Sequence, residues 1–229
     1  MQDEELVRDH PFLFHMAEDG SWPSLQELGL LTTSELLSLY GYAGQGREEI
    51  EGNWRKVSVT LHQPPRPDLV VRDQLVMPPC ELKTCLPPGL TPHDWYRLVN
   101  HRIFFWTTEP DLAIFLAAGS YRNSPHLVLQ VCTAELLRAH RTRVTLTPFN
   151  TGSTIRKDYS GRPLARGPDT FERIGDYKKG WVRELVVEGG LRDIRSLVVK
   201  ASRRVARGRS FTEAKSNCVE LEKLWERPE

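Results

Sequence analysis

His15 closes an apolar run, Phe12-Leu13-Phe14-His15-Met16. Its imidazole can both donate and accept hydrogen bonds near neutral pH. The run reads as a short strand that either presents this ring to a ligand hydroxyl, such as that of a ribose, or holds it as a satisfied structural residue. Glu184 lies far downstream in Trp181-Val182-Arg183-Glu184-Leu185-Val186-Val187, a strand interrupted by a charged pair. Its carboxylate either faces outward, alternating with Arg183, or is held inside, where an unpaired charge is costly. Inside, it would be a fixed negative group set against the oxocarbenium-like charge that develops as a glycosidic bond breaks. The same group could take the proton of an attacking nucleophile.

Three more segments carry chemistry at suitable positions. Arg72, in Leu69-Val70-Val71-Arg72-Asp73, either pairs with Asp73 or Asp68 or forks onto a phosphate. Asn150, Thr151 and Ser153, in Asn150-Thr151-Gly152-Ser153-Thr154, either close a turn with no ligand or contact a ribose or diphosphate. Phe104, Phe105 and Trp106 are consecutive, so their rings alternate across a strand. One or two belong to the core, and any remaining ring could stack on nicotinamide. Tyr177, Lys178 and Lys179 lie just ahead of the glutamate strand, a position suited to recognising a second substrate.

The elements that must position these groups are legible in outline. Residues 1–10 read as a loose acidic lead-in. A helix follows Ser21 with Pro23 in its first turn and Gly29 at its end, and Thr33 caps another. Thr91, followed by Pro92, caps a helix running to Asn100. Strands are expected at Val57–Leu61, Arg102–Thr107, His126–Cys132, Val144–Thr147, Gly180–Val187 and Leu197–Ala201, and helices at Glu109–Ala118 and Ala134–His140. Residues 155–176 are rich in glycine, proline and charge and read as mobile loop, and Phe211–Trp225 reads as an amphipathic helix. The mixture lacks a βαβ rhythm and any glycine-rich strand-to-helix turn. The expected class is therefore α+β with mostly antiparallel sheet.

With 229 residues the chain can bury a substantial core. Its 31 Lys+Arg against 30 Asp+Glu exclude a molecule that is basic throughout. Two basic islands, Arg138–Arg143 and Lys200–Arg209, are either solvated faces or phosphate contacts. The four cysteines lack metal-site spacing and suggest no disulfide framework. No stretch approaches the apolar length of a membrane span, and no apolar leader opens the chain. The expectation is a soluble, cytoplasmic, thiol-reduced protein without a metal and without a membrane partner.

Phe14-His15 followed by a short helix ending at Gly29, Arg72, Ile103-Phe104-Phe105-Trp106, Asn150-Thr151-Gly152-Ser153 and Arg183-Glu184-Leu185-Val186-Val187 together resemble the DarT-type DNA ADP-ribosyltransferase toxins. The combination of Arg72-Asp73-Gln74, Gly89–Tyr96 and Arg102–Trp106 resembles more closely an uncharacterised bacterial domain family related to those enzymes. The chain departs from the toxins at Thr107-Thr108-Glu109-Pro110, where their proline- and arginine-containing motif is replaced. The helix from Thr91 to Val99 is a further insertion. The resemblance implies one domain over residues 1–229, with its core at about 12–200 and a basic linker and C-terminal helix over 201–229. It implies an ADP-ribosyltransferase-like split antiparallel β-sandwich with peripheral helices and NAD in the cleft. His15, Phe105, Asn150, Thr151 and Ser153 would then bind NAD, while Glu184 and Arg72 would act in catalysis. Tyr177, Lys178 and Lys179 would meet a nucleic-acid or protein acceptor. An NAD glycohydrolase and a non-catalytic nucleic-acid-binding module are the alternatives on the same fold.

Overall fold

A computed structural model describes residues 1–228. In chain order the strands are β1 (Phe12–Ala17), β2 (Val59–Leu61), β3 (Leu69–Val71), β4 (Arg102–Trp106), β5 (His126–Cys132), β6 (Val144–Thr147), β7 (Glu172–Arg173), β8 (Glu184–Glu188), β9 (Val198–Ala206) and β10 (Cys218–Glu226). The helices are α1 (Asp3–Asp9), α2 (Trp22–Leu28), α3 (Thr33–Leu39), α4 (Gly44–Glu51), α5 (Pro79–Leu82), α6 (Pro92–Asn100), α7 (Glu109–Leu116), α8 (Thr133–His140), α9 (Ile194–Leu197) and α10 (Phe211–Ser216).

Local chemistry accounts for many of the boundaries. Thr91 Oγ1 accepts from Asp94 N while the Asp94 carboxylate accepts from Thr91 N, so α6 starts on a reciprocal cap with Pro92 behind it. Thr108 caps α7 through Asp111 N, and Thr32 caps α3 through Glu35 N. The cap of α3 therefore falls one residue before the expected Thr33. Gly29 ends α2 at φ +87°, where a Cβ would lie 2.5 Å from Arg192 Cα and 2.8 Å from Leu191 O. A glycine is needed there both for its backbone conformation and for the close approach. That approach lets Leu30 exchange backbone hydrogen bonds with Leu191.

Eight strands form one sheet in the order β10-β9-β5-β1-β4-β8-β6-β7, and every pairing is antiparallel. The α+β class with a large antiparallel sheet and peripheral helices is thus observed. The hydrogen-bonded network is a single sheet rather than two stacked ones, yet it is almost cut in two. β1 meets β4 through one residue pair, Phe14 with Trp106, whereas β1 and β5 pair over six residues from Phe12 to Ala17. The two halves diverge beyond Phe14, and a gap opens between His15 and Phe104. β2 and β3 form a separate ribbon.

Alternation along the strands distributes the core. Leu13, Ile103, Phe105, Leu129, Leu185 and Val187 face one side, where they meet Leu136, Leu137, Ile194 and Leu197 from α8 and α9. Phe14, Met16, Trp106 and Val128 face the other, against Leu112 and Leu116 of α7 and Ala214 of α10. Two smaller clusters form around Trp95 and Tyr96 of α6 and between α3, α4 and the β2–β3 ribbon.

Several expectations are corrected here. Residues 1–10 hold a helix, α1, whose Leu6 is fully buried. The glutamate strand begins at Glu184 rather than Gly180. The basic linker and C-terminal helix over 201–229 are instead β9, the short α10 and β10, a sheet extension rather than an appendage. Alternation of Val219 and Leu221 with charged residues is a strand period, and Ser210 caps only one short helix ahead of it. No helix among the described residues is long and apolar enough to cross a membrane.

Candidate active-site cavity

The gap between the half-sheets opens into a cavity of ≈ 340 Å³, within the ~300–1,000 Å³ range of small-molecule sites. His15, Arg72, Asn150 and Glu184 all line it. They come from four separate parts of the chain: β1, the end of the β2–β3 ribbon, the turn after β6, and the first residue of β8.

His15 Nδ1 lies 2.8 Å from Phe104 O. A carbonyl only accepts, so Nδ1 carries the proton and Nε2 keeps a lone pair. The imidazole thus occupies the place where a backbone ladder bond would be if β1 and β4 continued to pair. Burial pushes its pKa down to about 4, with Arg72 adding to the effect and the Phe104 bond opposing it. The ring is therefore neutral at pH 7.

Glu184 is 3% exposed. One carboxylate oxygen, Oε2, accepts from Thr151 N at 3.0 Å and Thr151 Oγ1 at 2.9 Å. Oε1 takes no protein donor among the described residues. Burial pushes the carboxyl up to about 7, while the two Thr151 bonds and the Arg166 and Arg183 charges pull the other way. Glu184 pairs across the sheet with Trp106 on one side and Thr147 on the other, which puts it on the cavity face. The carboxylate is thus held by one oxygen and presented by the other, with its protonation balanced near neutrality.

Arg72 pairs with neither Asp68 nor Asp73. Its Nη1 lies 3.3 Å from Glu18 Oε2, and its guanidinium sits 4.6 Å above the centre of the Tyr121 ring. Its Nε is buried with no hydrogen-bond partner, as is Gln74 Oε1. Both residues line the cavity with other parts of their side chains, while these two atoms are shut away from solvent. Such buried polar groups are normally satisfied.

Other assigned residues lie elsewhere. Phe105 is fully buried in the core because alternation gives the cavity face to Phe104 and Trp106. Its ring packs behind His15, with centroids 5.6 Å apart, so it supports the imidazole and cannot stack on a ligand. Thr151 binds Glu184 rather than the cavity. Ser153 turns its carbonyl to Arg166 and its hydroxyl to Ile155 N. Asn150 lines the cavity, but its Oδ1 closes the turn at Gly152 N, 2.9 Å away. Tyr177 is buried and donates to Trp181 O, which removes it from any recognition surface. Lys178 and Lys179 are exposed, and Lys179 pairs with Glu172. Three cations of the basic segment from Lys200 are paired: Lys200 with Glu220 of β10, Arg203 with Asp19 after β1, and Arg204 with Glu109 of α7.

Sequence reasoning missed Arg166 and His126. Arg166 is a buried guanidinium under the Asn150–Thr154 turn, bonded to the carbonyls of Asn150, Ser153 and Leu164 and lying over the Phe149 ring. It sits in a loop with no periodicity, so no local signal marks it. His126 opens an apolar strand just as His15 lies within one, which is a signal of the same kind.

The chain belongs to a family of unknown function (DUF7002), whose description matches residues 11–203. No curated protein matches the chain.

Proposed function

We propose that this cavity takes NAD as substrate, cleaves its nicotinamide–ribose bond and passes ADP-ribose to a nucleic-acid base or another macromolecular acceptor. The observation that carries the reading is the meeting of His15, Arg72 and Glu184 on one cavity in complementary states. A neutral imidazole offers an acceptor to a ribose hydroxyl. A guanidinium on a cavity-lining residue suits a phosphate oxygen. A carboxylate with one free oxygen suits a developing positive centre. On this reading the split-sandwich arrangement of an ADP-ribosyltransferase corresponds to the near-separation of the sheet at Phe14 and Trp106.

In the reaction, the ribose–nitrogen bond breaks with its electron pair going to the nicotinamide ring, which leaves neutral. The acceptor's nitrogen or oxygen bonds to the ribose carbon, and its proton goes to Glu184. The carboxylate's role is to offset the oxocarbenium-like charge and then take that proton. Both roles need the ionised form. Trp181, three residues before Glu184, is 60% exposed and donates from Nε1 to Pro148 O at 3.1 Å. A flat ring therefore stands beside the turn that leads to Asn150, where an acceptor base could stack.

The test is nicotinamide release from NAD by the purified protein and by Glu184→Ala, with and without DNA, RNA or cell protein. Release that depends on Glu184 and on one additive supports the transferase and identifies its acceptor class. Release with water alone points to a glycohydrolase. No release and no NAD binding by calorimetry overturns the proposal.

A further inference from the structure

We propose that His126 and Tyr121 are positioning residues that hold the Arg72 guanidinium in the cavity, His126 by accepting a hydrogen bond and Tyr121 by offering its ring face. The assignment begins with tautomer logic. His126 Nε2 lies 3.0 Å from Tyr121 O, and a carbonyl can only accept, so Nε2 carries the proton. Nδ1 is then a bare acceptor, and it lies 3.5 Å from Arg72 Nη1. An arginine is always charged and always a donor, so the only productive pairing is a neutral His126 accepting from Arg72. Burial holds His126 below its ordinary pKa, and the Arg72 charge adds to this, which keeps the acceptor available.

Tyr121 completes the holder. Its ring lies under the guanidinium at 4.6 Å and stands edge-on to His126 at 5.7 Å and 88°. Its hydroxyl lies 3.4 Å from Asp73 Oδ2, and Phe115 packs on its other side at 4.9 Å. Arg72 is tied to Glu18 as well, but that carboxylate is 43% exposed and can swing away. The His126–Tyr121 pair is buried, with His126 opening β5 of the main sheet and Tyr121 in the turn that follows α7. It therefore ties the residue that follows β3 to the start of β5, with Arg72 lining the cavity. Fixing a long, rotamer-rich side chain before a ligand arrives removes part of the entropy cost of binding.

The inference rests on the reading of Arg72 as a ligand group, and the experiment separates the two. ADP-ribose binding is measured by calorimetry for the intact chain and for Arg72→Ala, His126→Phe, His126→Asn and Tyr121→Leu, with a thermal melt of each. Asn keeps an acceptor where Nδ1 stands; Phe keeps the ring and loses the acceptor. The expected result is a loss of tenfold or more for Arg72→Ala, a comparable loss for His126→Phe, recovery to within about threefold for His126→Asn, and about fivefold weakening for Tyr121→Leu. If His126→Phe fails to fold, His126→Asn and Tyr121→Leu carry the test. Wild-type affinity for Tyr121→Leu, or His126→Asn as weak as Arg72→Ala, overturns the positioning role. Arg72→Ala weakened while His126→Phe binds normally overturns that role and leaves the site reading standing. Arg72→Ala binding as tightly as the intact chain, or no binding by the intact chain, overturns the role of Arg72 itself.

Discussion

Thr151 donates twice to a single oxygen of Glu184, from its backbone nitrogen at 3.0 Å and from Oγ1 at 2.9 Å. Both bonds favour the ionised carboxyl, and burial opposes them strongly enough to leave the group near pH 7. Removing one donor should move that balance. Thr151→Val should raise the pKa of Glu184 above 7 by about one unit, since a hydrogen bond to a charged group contributes ~1.5–3 kcal/mol and one unit is ~1.4 kcal/mol. The check is the pH profile of NAD cleavage. Activity should fall as pH drops through about 7 in the wild type and through a higher pH in the variant, with similar plateaus.

Glu184→Gln keeps the shape and the acceptor for Thr151 but cannot ionise. Nicotinamide release should fall ~10²–10⁴-fold, while ADP-ribose affinity should change by no more than a few-fold. Loss of affinity in proportion to loss of turnover would argue against a role confined to the reacting centre.

Glu184 and His15 leave opposed marks on stability. Glu184 has a folded pKa near 7 against an ordinary 4.5, so the folded state holds the extra proton between those values. Its contribution is complete below about 4.5 and is lost as pH rises through 7. His15 has a folded pKa near 4 against an ordinary 6.5, so the unfolded state holds the extra proton. Its contribution is complete above 6.5 and is lost as pH falls through 4. Each spans ~3 kcal/mol over nearly the same window, with opposite slope, and they largely cancel. Urea melts from pH 4.5 to 7.5 should therefore show Glu184→Gln growing more stable relative to wild type as pH rises, and His15→Asn growing more stable relative to wild type as pH falls. Parallel curves for all three proteins would rule out both shifts.

His15→Asn also separates the two nitrogens of the ring. Asn can still donate to Phe104 O but has nothing at the Nε2 position. Ligand affinity should drop about tenfold, the value of one ordinary hydrogen bond, with the melting temperature at pH 7 nearly unchanged. His15→Ala should cost stability in addition, ~1–3 kcal/mol for the orphaned Phe104 carbonyl.

Gly29→Ala tests the scaffold rather than the chemistry. The new Cβ would sit 2.5 Å from Arg192 Cα in a backbone conformation at φ +87°, and both neighbouring atoms are backbone. Destabilisation of several kcal/mol, ~2–4, is expected in chemical denaturation. A smaller loss would mean that the Leu30–Leu191 bridge moves freely.

Much of the molecule was legible locally. Thr91-Pro92 announces a helix because a cap is satisfied within three residues, and Val144–Thr147 and His126–Cys132 read as strands from their apolar patterning. Glu184 and His15 stood out because a polar group inside an apolar strand must have a partner or a purpose. What lay beyond reach is whatever depends on partners distant in sequence. β10 read as helical because its strand alternation, Val219 and Leu221, is short and both side chains stay exposed at the sheet edge. Phe105 and Trp106 were indistinguishable until the register Phe14–Trp106 fixed which ring faces the cavity. Arg166, His126 and Tyr121 gain their roles only when chain segments tens of residues apart meet. The sequence by itself marked the apolar strands and the polar groups, His15 and Glu184, set within them, because these follow from side-chain polarity and local patterning. The tertiary structure alone decided which of them share a cavity and in which protonation state, because desolvation and charge proximity are properties of the packed whole.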